Sequence, residues 1–184
     1  TNPQYEGLLK VGFTRRTSDI RVKEQYNIKR PSYIVPYRIV LSESSLYPDG
    51  THYFIDTKVH DVLESKNIEK VDGEWYRCTV DDVKAAIIAV RENRENTENR
   101  TQTFKMRPEQ QAAVDKTMAY YRSLNADDPT RTPKFLWNAK MRFGKTFATY
   151  QLAKKMGFTR VLVLTFKPAV QSAWREDLLT HLDF

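Results

Sequence analysis

Phe135-Leu136-Trp137-Asn138-Ala139-Lys140-Met141-Arg142-Phe143-Gly144-Lys145-Thr146 decides the reading of the second half of this chain. Phe135 to Trp137 is an apolar run short enough for a buried strand. The next residues carry Ala148, Leu152 and Met156 at helical spacing and end on Gly157, a helix stop signal. Between the two runs, Gly144 lets backbone N–H groups close around an anion, Lys145 can reach phosphate oxygens, and the Thr146 hydroxyl can ligate Mg²⁺. Strand, loop and helix in that order are the setting this chemistry needs, so the expected ligand is ATP, against the alternative of a turn whose Gly-Lys-Thr is accidental.

Outward from the loop, Arg160 to Phe166 is a nearly unbroken aliphatic run, the pattern of a strand covered on both faces in a parallel sheet. Pro168 can open a helix, and Ala169 to His181 places Val170, Ala173, Trp174 and Leu178 at helical spacing. Upstream, a helix over about 108 to 124 leads through the polar loop Asn125 to Thr132 into the first strand.

These motifs, in this order, resemble the first RecA-like lobe of a superfamily 2, DEAD/DEAH-like helicase or translocase. Motif I of that family begins with alanine, as Ala139 does here. Arg107-Pro108-Glu109-Gln110 resembles the segment that opens the lobe, whose glutamine reads adenine. The resemblance implies ATP binding by Arg107, Gln110, Ala139, Arg142, Gly144, Lys145 and Thr146. It also implies DNA-backbone contacts from Thr165 and Lys167 in a motif Ia. Arg142 stands where a smaller residue is commoner; an added phosphate contact and a brace for the empty loop are both open. No acidic motif II precedes Phe184. The expectation is a truncated α/β lobe at 105–184, part of a longer polypeptide, able to bind ATP but not to hydrolyse it efficiently.

The net charge of +7 sits in this half: residues 96–184 hold 15 basic and 8 acidic side chains, residues 1–95 hold 15 of each. Within the first half, residues 1–38 carry 8 basic against 3 acidic residues. Such a surface suits a polyanion, DNA first, although a merely solvated basic face has the same composition. No stretch is long and apolar enough for a membrane span, and the single cysteine, Cys78, excludes an internal disulfide framework and fits a reducing cytoplasm.

Residues 91–103 contain no apolar side chain, so they read as a solvated helix end followed by a linker at 96–104. Before them lies a small α+β domain, 1–95. Leu8 to Thr14 reads as a strand, Ser18 caps a helix to about Tyr26, and Tyr33 to Leu41 is a second strand. Thr51 to Lys66 reads as a helix, Trp75 to Cys78 as a strand, and Val80 to Glu92 as a last helix opened by Asp81-Asp82.

Lys10-Val11-Gly12-Phe13-Thr14, Arg21 on the next helix, Asp56 and His60 four residues apart, and Glu74-Trp75-Tyr76 together resemble the phage-type branch of the GIY-YIG nuclease superfamily. The resemblance implies Lys10, Arg21 and His60 as catalytic residues and Asp56 as ligand to Mg²⁺ or Mn²⁺. The chemistry agrees, because phosphodiester hydrolysis needs a cation against developing charge, a base or activated water, and commonly a divalent metal. Asp56 replaces the usual glutamate, Lys10 the second motif's tyrosine, and only Tyr5 is available for the first. On one helix, His52, Asp56 and His60 would also form a stripe that a transition metal could use.

Structural readings stand beside these. Arg21 can pair with Glu24, His60 can be a packed histidine bonded to a backbone carbonyl, and Cys78 a buried, inert thiol. Trp75 fills the core beside the last helix. Phe13 and Tyr120-Tyr121 can stack on bases or pack inside. The combined expectation is a metal-dependent endonuclease domain joined to an ATP-dependent DNA motor. Its rival is a DNA-binding domain that does not cut, joined to a remodelling motor.

Overall fold

The computed structural model describes residues 3–25, 37–165 and 170–184, and the chain divides into two compact units, Thr1–Thr101 and Gln102–Phe184.

In the first unit, strand β1 (Leu8–Lys10) leads to helix α1 (Ser18–Gln25); helix α2 (Asp56–Ser65) is followed by β2 (Lys70–Asp72), β3 (Trp75–Arg77) and helix α3 (Val80–Glu92). The sheet is antiparallel in the order β1-β3-β2, with Leu9 opposite Tyr76. β1 stops at Lys10 and not at Thr14 because its ladder ends there: the Val11 N–H reaches the Glu74 carbonyl, and the Phe13 N–H turns to the Asp56 carboxylate. β2 was not among the expected strands. Its signal was Asp72-Gly73, a hairpin dipeptide in which Gly73 adopts φ 52°. Of the expected strand Tyr33 to Leu41, residues 33–36 lie outside the described residues and 37–41 pair with no described strand.

The helix expected from Thr51 begins only at Asp56. Residues 45–54 are spent on closing a loop, in which Tyr47 N–H bonds His52 O, Phe54 N–H bonds Ser45 O, and Asp49 accepts from the Thr51 and His52 amides. Val59 and Leu63 of α2 join Val11, Phe54, Tyr76, Val83 and Ala86 in the core. Tyr76 is fully buried and donates its hydroxyl to Glu64. Trp75 sets its ring 5.2 Å from that of Tyr5. Cys78 lies just past β3, half-buried, and burial pushes its thiol up to about 11.

α3 has the expected bounds, with a capping box in which the Thr79 hydroxyl takes the Asp82 N–H and the Asp82 carboxylate takes the Thr79 N–H. The polar run behind it is no free linker. Asn96 and Arg100 are buried: the Asn96 amide donates to Ala85 O and Arg100 O and accepts the Arg100 N–H at 2.7 Å. Asn99 donates to Asp82 and accepts from Lys66. A stretch without apolar side chains is fastened by amide hydrogen bonds instead of by burial of a hydrophobic face.

The second unit holds α4 (Pro108–Asp127), α5 (Lys145–Met156) and α6 (Gln171–Thr180). α4 runs three residues past the expected end, and Asp128 then caps the turn through Thr130. Val114, Ala148 and Leu152 form a small core with Met118, Trp137 and Phe143, and the Trp137 indole donates to the Thr117 hydroxyl at 2.7 Å. A ring cluster of Phe104, Phe147, His181 and Phe184 encloses His181, whose Nε2 bonds Phe104 O.

The strands expected at 135–137 and 160–166, and the parallel sheet joining them, are absent among the described residues. Residues 133–139 alternate inward and outward as a strand does, with Phe135 and Trp137 turned in, but no ladder forms. Leu136, Met141, Leu162 and Leu164 are therefore 87%, 88%, 83% and 85% exposed. No described helix is long and apolar enough to cross a membrane.

Candidate functional site

In the first unit the motif Lys10 to Thr14 meets the start of α2. Asp56, the first residue of that helix, accepts the Phe13 N–H at 3.0 Å through one carboxylate oxygen and the Thr57 N–H through the other. One turn on, His60 is 9% exposed, lies 5.1 Å from the Tyr76 ring and bonds the Val11 carbonyl through Nε2 at 2.8 Å. A carbonyl only accepts, so Nε2 carries the proton. The i, i+4 pair thus grips one three-residue segment from both sides, by an N–H and by a C=O.

That grip changes the role of His60. With Nε2 donating to a backbone carbonyl, it has the packed, carbonyl-bonded geometry that stood as the structural alternative to its expected catalytic role. His52 leaves the stripe altogether, since it precedes α2 and bonds Asp49 at 2.5 Å. His52, Asp56 and His60 form no transition-metal site, and no described group of three His, Cys, Asp or Glu could hold a metal.

Lys10 extends from the end of β1 to Glu74 at 3.3 Å and to Gln25 at 3.2 Å, tying the hairpin to the end of α1. Arg21 is exposed on α1, and its supposed partner Glu24 is taken by Arg16. No contact joins Arg21 to Asp56 or His60. In the sequence Glu74 stands out only as part of the Glu74-Trp75-Tyr76 signature. Its carboxylate lies 3.4 Å from where a Cβ on Gly12 would stand, which puts a second acid beside the motif.

In the second unit, Gly144 adopts φ 79° directly before α5, with Lys145 and Thr146 in the first helical turn. Gln110 is buried and donates to Phe143 O at 2.7 Å, and Arg107 donates to Arg142 O and Phe143 O. Gln110 also accepts the Arg107 N–H. The pair expected to meet a nucleotide braces the loop backbone in this conformation, engaging the Gln110 amide oxygen and one of its two N–H donors. Lys145 Nζ donates to Lys140 O at 2.9 Å, closing the loop on itself. Arg142 has φ 64°, a left-handed conformation that glycine adopts at far lower cost, and its carbonyl rather than its exposed guanidinium is what the loop uses. A cleft of about 640 Å³ beside the loop is lined by Arg107, Lys116, Trp137, Ala139, Lys140 and Arg142. Thr165 is exposed and in no strand; Lys167 lies outside the described residues.

Residues 1–91 match the T5orf172 domain. The T5orf172 match spans the sheet, α1, α2 and nearly all of α3, and it contains Lys10, Arg21, Asp56, His60 and Glu74. The chain is also 39% identical over 77 residues to a Mycoplasma pneumoniae protein described as "Putative type II restriction enzyme and methyltransferase RM.MpnORF110P C-terminus". The match covers 42% of this chain and 10% of that relative, so the chain spans about a tenth of the relative's length. No solved structure matches.

Proposed function

We propose that the T5orf172 unit is a metal-dependent endonuclease domain of GIY-YIG type acting on DNA, in a protein of the restriction or mobile-element kind. The Phe13 N–H bond to Asp56 carries this reading, because it sets a carboxylate of α2 directly on the Lys10 to Thr14 motif. The T5orf172 match and the restriction-enzyme relative support nuclease chemistry independently of that contact.

The donor set fits a hard cation. Each Asp56 oxygen accepts one N–H and keeps a lone pair, and Mg²⁺ is commonly held by one or two carboxylates with the rest water and substrate phosphate. The bound ion would supply Lewis acidity and an activated water. The protein's own part is to aim Asp56 through the Phe13 amide and to keep the motif in place through His60. Arg21, exposed on α1, offers its guanidinium to the phosphate, and Lys10 is held beside the motif by Glu74.

For the second unit we propose ATP binding at 139–146 in a helicase-like motor. The left-handed Gly144 at the start of α5 supports this, since backbone N–H groups at a helix N-terminus attract phosphate. The cofactors are then ATP and Mg²⁺, and the partner is DNA. The rival, a domain that grips DNA without cutting it, is favoured by the engaged Nε2 of His60, which leaves that histidine unable to act as base through this nitrogen.

Plasmid nicking decides between the two. With Mg²⁺ or Mn²⁺, the wild type nicks, and Arg21→Ala and Asp56→Ala lose nicking while still binding duplex. A wild type that binds but never nicks with either metal gives the case to the rival. Binding of a fluorescent ATP analogue, lost in Lys145→Ala, tests the second unit.

A further inference from the structure

Tyr53 belongs to no motif above, yet its surroundings are organised. Its ring lies parallel to that of Phe13, with centroids 5.7 Å apart and planes 2° from coincidence. The Arg15 guanidinium carbon stands 5.0 Å from the ring centre, and Arg15 also donates to the Tyr53 hydroxyl. Backbone bonds of the 45–54 loop and the bridge to Leu46 fix the Tyr53 main chain. The residue nevertheless stays 44% exposed.

Charge distinguishes Arg15 from its neighbours. Lys10 is paired with Glu74 and Arg16 with Glu24, whereas Arg15 has no carboxylate partner among the described residues. An uncompensated guanidinium held over a partly exposed, pre-positioned ring puts a cation and an aromatic surface in one place. A nucleotide has the matching pair, a base that stacks and a phosphate that needs a cation. Phe13 joins this surface to the candidate cutting site, since its ring backs Tyr53 while its amide holds Asp56.

We infer that Tyr53, backed by Phe13 and Arg15, is a stacking platform for one unpaired base of the bound DNA, with Arg15 meeting the adjacent phosphate. This rests on the reading of the unit as a DNA enzyme, and deepens it by naming the substrate feature: a strand locally unstacked beside the phosphodiester. Flat aromatic surfaces accept any base, so the platform selects structure and not sequence.

The experiment places 2-aminopurine in a one-base bulge of a duplex and adds the full chain in EDTA, so that no cutting occurs. Wild type quenches the 2-aminopurine emission and prefers the bulged duplex to a fully paired one. Tyr53→Ala loses the quench and binds the bulged duplex about tenfold more weakly, with the paired duplex nearly unchanged. Tyr53→Phe keeps the quench, while Tyr53→Leu, which keeps bulk without the π face, loses it. Unchanged quenching in Tyr53→Ala or Tyr53→Leu, or equal weakening on both duplexes, overturns the platform. The nuclease reading fails separately: wild type that never nicks with Mg²⁺ or Mn²⁺ while the Tyr53-dependent quench persists removes the cutting and leaves the platform.

Discussion

His60 donates its Nε2 proton to the carbonyl of Val11 at 2.8 Å, so a helix four residues past Asp56 holds the strand end that Asp56 itself grips. Two groups on one helical face thereby fix a glycine-containing turn through its Val11 carbonyl and its Phe13 amide. The motif's geometry is a property of α2 as much as of its own residues.

Replacing His60 exposes how the fold depends on that bond. His60→Ala leaves a buried carbonyl unsatisfied, at about 1–3 kcal/mol, and melting should fall by several degrees. His60→Gln, which can still donate, recovers part of the loss. If His60→Ala melts like wild type yet has lost nicking, the histidine acts on the substrate and not on the turn.

Gly144 combines two demands. Its φ of 79° would cost an alanine about 1–2 kcal/mol, and a Cβ there would stand 2.4 Å from Gln110 Nε2. Gly144→Ala should therefore lower the melting temperature and abolish binding of a fluorescent ATP analogue. Adding Gln110→Ala relieves the clash but not the backbone cost, so calorimetry should find the two substitutions less than additive.

Arg142→Gly has the opposite expectation. The side chain is exposed, the loop uses only the main-chain carbonyl, and φ is 64°. Relief of the left-handed conformation, about 1 kcal/mol, offsets glycine's greater freedom in the unfolded chain, so stability should be unchanged or slightly raised. A drop of several degrees would mean that the guanidinium holds the loop.

Asn96 tests whether the polar run after α3 is part of the unit. Asn96→Ala removes the two bonds that tie Arg100 O and N–H to this side chain and the extra bond to Ala85 O, and should cost about 1–3 kcal/mol in denaturant unfolding, more than a linker substitution would. Cleavage by a protease within 93–101 should speed up in the same variant. Equal stability and equal cleavage would return the segment to the solvent.

Acid sensitivity should trace partly to Glu64. Hydrogen bonds from Lys70 and Tyr76 hold its carboxyl below the ordinary 4.5, so the folded chain binds the proton less readily than the unfolded one. Its contribution is present above that ordinary value and disappears as pH falls through the lowered one. Glu64→Gln should flatten the melting-temperature profile below about pH 4.5 and leave its shape at pH 7 to 8 unaltered.

What could be read from residues alone was whatever local chemistry fixes. α3 has its cap box, its acidic first turn and its apolar spacing, and its ends fall at Val80 and Glu92 as expected. Ser18 opened α1, whereas α5 begins at Lys145, two residues before the expected Phe147, directly after the left-handed Gly144. Tertiary demands defeated the rest. The start of α2 could not be read at Thr51, because a loop closure between 45 and 54 takes those residues before any helix can. Tyr53 and Glu74 matter through partners more than 15 residues distant or across a hairpin, which periodicity does not report. Aliphatic runs at 136 and 162–164 meet the strand pattern, yet a strand also needs a neighbour to pair with.

The four side chains at positions 136, 141, 162 and 164 have a practical consequence for every measurement above. Kosmotropic salts drive such apolar atoms together, and raised ionic strength of any kind also screens the attraction of a +7 chain for DNA. One dial therefore moves two quantities in the unwanted direction at once: raised salt releases the nucleic acid and promotes clumping of the protein. Dilute buffer is the condition under which this molecule is both free-running and engaged.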